Sequence, residues 1–146
     1  MSLLYFNSQQ SFRIMDGSGY PPLYLECIES AYARIDMFIS VGQLVGRLRQ
    51  SHHDIIGAVL IISSTSELFD LIQNQELLED IPIFLVLPVD DPEMNSLGHS
   101  LSPRYLTSID HNDMEIRQVL VQFVQKLKEQ CRNERYRRAI QAEDQG

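Results

Sequence analysis

Four hydroxyl residues stand in a row at Ser63-Ser64-Thr65-Ser66, after the apolar run Ile56–Ile62 and before Glu67-Leu68-Phe69. Hydroxyls where a strand gives way to a helix can cap the helix or, with neighbouring N–H groups, face an anion. One serine suffices for a cap, and Ser66 is the residue expected to supply it. No glycine-rich phosphate motif accompanies the run, and Val41-Gly42-Gln43-Leu44-Val45-Gly46 is not a nucleotide fingerprint.

Three acids, Asp90, Asp91 and Glu93, gather around Pro92. They are either solvated loop acids or, with Asp16, the makings of a cation site. His52, His53, His99 and His111 have no spacing that predicts convergence, so no metal is expected. Cys27 and Cys131 are far apart and form no metal-type pair; Cys27 reads as a packing residue in an apolar helix. No cofactor is implied.

Parallel strands are the elements that would position these groups. Ile56–Ile62 and Ile81–Leu87 are continuous apolar runs, the pattern of strands covered on both faces. Leu3–Phe6, Ile35–Ile39 and Arg104–Thr107 are weaker strands. A helix is expected near Pro22 over Leu23–Ala33, and another carries Val41, Leu44, Val45 and Leu48. A third follows Ser66 with the stripe Leu68, Phe69, Leu71 and Ile72. The longest begins at Asn112 or Asp113, where Asn112 and Glu115 have capping-box spacing, and its stripe runs Ile116, Val119, Leu120, Phe123, Val124, Leu127. Gln9–Pro21 and Asp90–Ser102 are irregular, the latter with room for one short helix. Strands alternating with helices predict an α/β fold, a three-layer α/β/α sandwich. Its five-stranded parallel sheet takes the flavodoxin-like order 2-1-3-4-5.

The 146 residues carry 12 Lys and Arg against 20 Asp and Glu, a net charge of −8, with 44% apolar and 22% charged residues. That is globular composition, and one domain of this length buries its own core. The charge is uneven. Residues 1–125 hold −10, while Lys126–Arg138 holds +4. A net-acidic body argues against a nucleic-acid partner. No apolar run approaches the ~18–20 residues of a membrane span. No basic region opens the chain, no signal peptide is expected, and a reducing, cytoplasmic setting follows.

The layout resembles the receiver domain of two-component response regulators over roughly residues 3–128. The likeness is carried by Arg34–Ser66, Ile81–Pro88, and Arg104-Tyr105-Leu106-Thr107 followed by Asn112–Leu127. Receivers move a phosphoryl group onto their own aspartate, using an acidic pair that holds Mg²⁺, a Ser/Thr and a lysine. The resemblance places the acidic pair at Asn7 and Ser8 and the phosphoacceptor at Ser63. It places the Ser/Thr at Leu87 and the lysine at Ser108, followed by Ile109 where proline is usual. None of these positions holds the expected residue. A serine does not replace the aspartate as nucleophile without an activating base, and Leu60–Glu67 offers no acid before Glu67.

The expectation is therefore a pseudo-receiver, a non-catalytic signalling module acting through protein–protein contact. Residues 1–128 form the receiver-like domain and 129–146 a basic helical extension or linker. Arg104, Tyr105, Ile109, Lys126, Arg132 and Arg135 are the expected interface. The partner is another protein, a fused output domain or a second copy. The alternative is a small-ligand protein or enzyme using the carboxyl edge of the sheet, lined by Ser63, Ser64, Thr65, Asp90 and Asp91.

Overall fold

The computed structural model describes residues 2–8, 34–50, 54–110 and 112–144. The expected helix Leu23–Ala33, the stretch Gln9–Pro21 with Asp16, and Cys27, His52, His53 and His111 lie outside the described residues.

Five strands form one parallel sheet in the order β2-β1-β3-β4-β5, as the alternating pattern predicted. The central strands are β1 (Ser2–Asn7), β3 (Ile55–Ile61) and β4 (Ile83–Leu87). β1 and β4 are buried at every position, which is why β4 reads as an unbroken apolar run and β1 is apolar from Leu3 to Phe6. The edge strands β2 (Ile35–Phe38) and β5 (Tyr105–Ser108) are mostly half-buried, and each is four residues long. Register sets Asn7 beside Ile61, Ile61 beside Val86, and Leu87 beside Ser108, so the carboxyl ends of these strands meet along one edge.

Helices α1 (Val41–Leu48), α2 (Thr65–Gln73) and α3 (Pro92–His99), with the 3₁₀ turn Gln75–Leu78, cover one face of the sheet. There Leu44, Leu48, Leu68, Leu71, Leu78 and Met94 pack on Leu4, Phe6, Leu60, Leu85 and Leu87. Helix α4 (Asp113–Asp144) covers the other face, setting Ile116, Leu120, Phe123, Val124 and Leu127 on Leu3, Tyr5, Val59, Phe84 and Val86. Each such side chain contributes about 1.5–3 kcal/mol through burial, offset by the entropy of ordering it. Gly57 in β3 permits the close approach of α4: a Cβ there would stand 2.5 Å from Leu127 Cδ1.

Both α1 and α2 open with the same cap. Ser40 Oγ accepts from Gln43 N at 3.2 Å, and Gln43 Oε1 accepts from Ile39 N at 3.3 Å. In α2, Ser64 Oγ accepts from Glu67 N at 3.3 Å, and Glu67 Oε1 accepts from Ser63 N at 2.9 Å. Ser64 therefore caps α2 in place of the expected Ser66, because Ser64 has the S-x-x-E spacing a reciprocal cap requires. Phe69, expected in the apolar stripe, is 49% exposed. The irregular stretch after β4 holds an eight-residue helix, α3, capped by Asp91 with Pro92 in the first turn. Asn112 Oδ1 caps α4 by accepting from Met114 N at 2.9 Å, one residue short of the predicted Glu115.

At the amino edge Arg47 of α1 joins Asp54, the residue before β3, to β2. Its Nη2 lies 2.9 and 3.0 Å from the two Asp54 oxygens, and its Nε lies 3.8 Å from Asp36 of β2. The Arg47 guanidinium holds the Asp54 carboxyl below the usual carboxylate range, helped by Ser2. Arg34 reaches Asp36 from the other side at 3.2 Å.

Candidate functional site

The carboxyl edge is where parallel α/β sheets place their chemistry. The sheet brings Asn7, Ser8, Ser63, Leu87 and Ser108 to that edge, each at the end of its strand. What these residues do there differs from one to the next.

Asn7 is buried, and its Nδ2 donates to the Tyr5 hydroxyl at 3.3 Å. Ser8 Oγ and Ser63 Oγ are 2.5 Å apart, a contact that ties the end of β1 to the turn after β3. The Ser63 hydroxyl also lies 2.9 Å from Glu67 Oε1, the same oxygen that accepts the Ser63 N–H. A carboxylate thus stands at this position although the residue itself is a serine. It is delivered from the first turn of α2 and serves as half of the helix cap. Glu67 is not among the residues expected at the site; the Ser64-x-x-Glu67 spacing is the sequence signal that points to it.

Leu87 is fully buried in the core beneath α1, α2 and α3. It offers no hydroxyl, and its side chain belongs to the interior rather than the rim. Ser108 is buried and donates to Asp110 Oδ1, while Asp110 Oδ2 accepts from Asp90 N at 3.0 Å. Asp110 therefore joins the loops after β4 and β5, a role the sequence reading did not assign. Asn95 Nδ2 donates to Asp90 Oδ1 at 2.8 Å.

The acids around Pro92 do not converge. Asp90 is engaged by Asn95, Asp91 accepts from Met94 N at 3.2 Å as the cap of α3, and Glu93 lies exposed in the first turn. Among the described residues no group of three or more His, Cys, Asp or Glu is placed to hold a metal ion.

Two hollows lie against β5. One, of about 200 Å³, is lined by Asp90, Asn95, His99, Leu106, Thr107 and Ser108. Of the five residues expected to line a ligand pocket only Asp90 is among them; Ser63, Ser64, Thr65 and Asp91 stand elsewhere on the edge. The other, of about 330 Å³, opens between β5 and the first half of α4, against Phe84, Tyr105, Ile116, Val119 and Glu115.

Of the residues expected at an interface, Tyr105 is held within the chain. Its ring lies 5.9 Å from both Phe84 and Phe123, edge-on to the latter, and Lys126 Nζ donates to its hydroxyl at 3.1 Å. Arg104 is exposed and reaches Gln130 of α4 at 3.5 Å; Ile109 is 41% exposed. Arg132 and Arg135 fall on the continuation of α4, where their side chains lie outside the described residues.

This sheet order and helix arrangement are the fold of response-regulator receiver domains. No family model and no curated protein matches the chain. Among solved structures it is similar to a CheY-like receiver domain from Methanospirillum hungatei. That match has 9% identity and a TM-score of 0.62 over 88% of this chain and 97% of the other. A receiver protein from Pseudoalteromonas atlantica matches at 16% identity and TM-score 0.62, over 90% and 99%. A putative pilus assembly-related protein from Burkholderia pseudomallei matches at 12% identity and TM-score 0.57, over 89% and 90%. Among the described residues no helix is long and apolar enough to cross a membrane.

Proposed function

We propose that this chain is a pseudo-receiver, a non-enzymatic signalling module that acts through protein–protein contact at the face formed by β5 and α4. The observation that carries this reading is the occupation of the carboxyl edge. Ser63 is tied to Ser8 and to Glu67, Leu87 is sunk in the core, and Ser108 is tied to Asp110. Receiver-type phosphoryl transfer uses a carboxylate nucleophile on the domain itself, with cations to offset charge on the transferring phosphoryl oxygens. At these positions the chain supplies neither an aspartate nor a lysine. Glu67 does not replace the aspartate, because its carboxylate is committed to the Ser63 N–H and hydroxyl as a cap. The setting in this reading is a cytoplasmic two-component pathway.

Incubation with acetyl phosphate and Mg²⁺ tests it, with the intact mass as readout. The expected result is no added phosphoryl group. Stoichiometric uptake that disappears in Ser63→Ala would overturn the reading.

The hollow beside Asp90, Asn95 and His99 favours a second reading, a small polar ligand held at the carboxyl end of β5. A ligand-induced rise in melting temperature that is lost in His99→Ala would support it over the first.

A further inference from the structure

The hollow of about 200 Å³ between α3 and β5 is rich in acceptors and poor in donors. Three donors around it are spent within the chain. Asn95 Nδ2 donates to Asp90 Oδ1, and both Asp90 N and the Ser108 hydroxyl donate to Asp110. The acceptors have capacity to spare. A carboxylate takes about four donors, an amide oxygen two, and a neutral imidazole one, which describes Asp90, Asn95 and the exposed His99 in the wall. β5 adds a carbonyl. Arg104 N donates to Ile83 O at 2.9 Å, so the alternation turns Leu106 toward β4 and sets the backbone groups of Thr107 on the open edge.

The charge around the hollow has one sign. Between Arg49 and Arg104 the sequence holds nine Asp and Glu and no Lys or Arg, and α3 with the loop before it lies wholly within that stretch. Arg104 stands at the far end of β5 and reaches Gln130 of α4. A cleft lined by one sign of charge repels phosphates and carboxylates and concentrates cations. A bare metal ion does not fit this wall, since among the described residues no three acidic, His or Cys groups converge. The volume is also the room of roughly six or seven waters at ~30 Å³ each, more than one ion fills. Leu106 supplies the apolar part of the wall.

We propose that this hollow holds a small free organic cation, an ammonium or guanidinium head on a short alkyl stem. This deepens the small-ligand reading above and rests on it. The head donates to the Asp90 carboxylate, the Asn95 amide oxygen and the Thr107 carbonyl, and the stem lies on Leu106. Charge selects the class of guest, and the small volume selects a free ion over a bulky one.

Titration of the full chain with n-butylguanidinium and n-butylammonium, followed by backbone amide shifts, tests the proposal, with circular dichroism to verify that each variant folds. Saturable shifts centred on Asp90, Asn95 and Thr107 are expected, with a dissociation constant of roughly millimolar order for so few atoms. Asp90→Asn should weaken binding at least tenfold, and so should His99→Lys, which sets a fixed cation at the rim. Glu76→Gln, at an exposed acid on the 3₁₀ turn Gln75–Leu78, should leave it unchanged. Equal binding of the neutral n-butylurea overturns the proposal, as does equal weakening by Glu76→Gln. Acetyl-arginine amide binding more tightly than n-butylguanidinium also overturns it, by assigning the head to a protein side chain. Failure of both cations to saturate overturns it too. If inorganic phosphate then binds and is lost in His99→Ala, the small-ligand reading stands without its cationic class.

Discussion

Glu67 Oε1 accepts both the backbone N–H and the hydroxyl of Ser63, each at 2.9 Å. One carboxylate oxygen thereby ends β3, starts α2 and fills the position beside Ser63. Glu67→Ala removes the acceptor for two donors and should cost about 1–2 kcal/mol in urea unfolding. Glu67→Gln keeps an acceptor oxygen and should cost about half as much. Equal losses for the two variants would show that the oxygen is not what matters.

Restoring an acid at position 63 should not restore receiver chemistry. In Ser63→Asp the new carboxylate meets that of Glu67 at hydrogen-bond range, and two like charges there raise the pKa of one of them. The variant should be less stable at pH 7 than at pH 5, because the shared proton relieves the repulsion. It should still take no phosphoryl group from acetyl phosphate and Mg²⁺. Uptake by Ser63→Asp would mean that the vacant acidic-pair and lysine positions are not needed.

Gly57 and Leu127 make a pair for a double-mutant cycle. A Cβ at Gly57 would lie 2.5 Å from Leu127 Cδ1, so Gly57→Ala should destabilise by roughly 1–3 kcal/mol. Leu127→Ala alone should cost about 2–5 kcal/mol as a core truncation. The double variant should lose clearly less than the sum, since the truncated side chain vacates the space the methyl needs. Strict additivity would place the strain elsewhere.

The Arg47–Asp54 pair predicts a pH dependence of known sign. The folded-state pKa of Asp54 is lowered, chiefly by its hydrogen bond to Arg47, so the unfolded chain takes up this proton first. The stabilisation is present above the ordinary carboxylate range and is lost as pH falls through the lowered folded-state value. Denaturation midpoints of the parent and Asp54→Asn should differ at pH 7 and converge toward pH 2. A gap that persists in acid would assign the effect to packing.

Leu87 separates a core position from a rim position. Leu87→Thr should cost about 2–4 kcal/mol by removing buried apolar surface and burying a hydroxyl, seen as a lowered melting temperature with no gain in phosphoryl uptake. A neutral effect would mean the end of β4 is open to solvent.

The sheet was legible because its central strands are buried on both faces, and that burial writes itself as unbroken runs such as Ile83–Leu87. α4 was legible from Ile116 to Leu127 for the related reason that one stripe faces one sheet surface. α3 was hard to read because only Met94 and Gly98 are buried in it, and because Asp91-Pro92, which starts the helix, looks like a loop. The site was legible only as a set of vacancies. What fills it, Glu67 from α2 and Asp110 beyond β5, comes from residues whose reach depends on helix and turn geometry that strand patterns do not encode.

Helix α4 continues as a single helix from Asp113 to Asp144, and Leu127 is the last of its buried residues among those whose side chains are described. The 17 residues from Lys128 to Asp144 extend it by about 25 Å at 1.5 Å per residue. That length would give the far end of α4 the geometry of a lever with its fulcrum at the sheet. A rocking of α4 by about 10° on its bed of Phe84, Val86 and Tyr105 sweeps the far tip through roughly 4 Å, from the 1.5 Å rise and simple trigonometry. Any small repacking against β5 would thereby be amplified into displacement at a distance, with no change needed in the sheet itself.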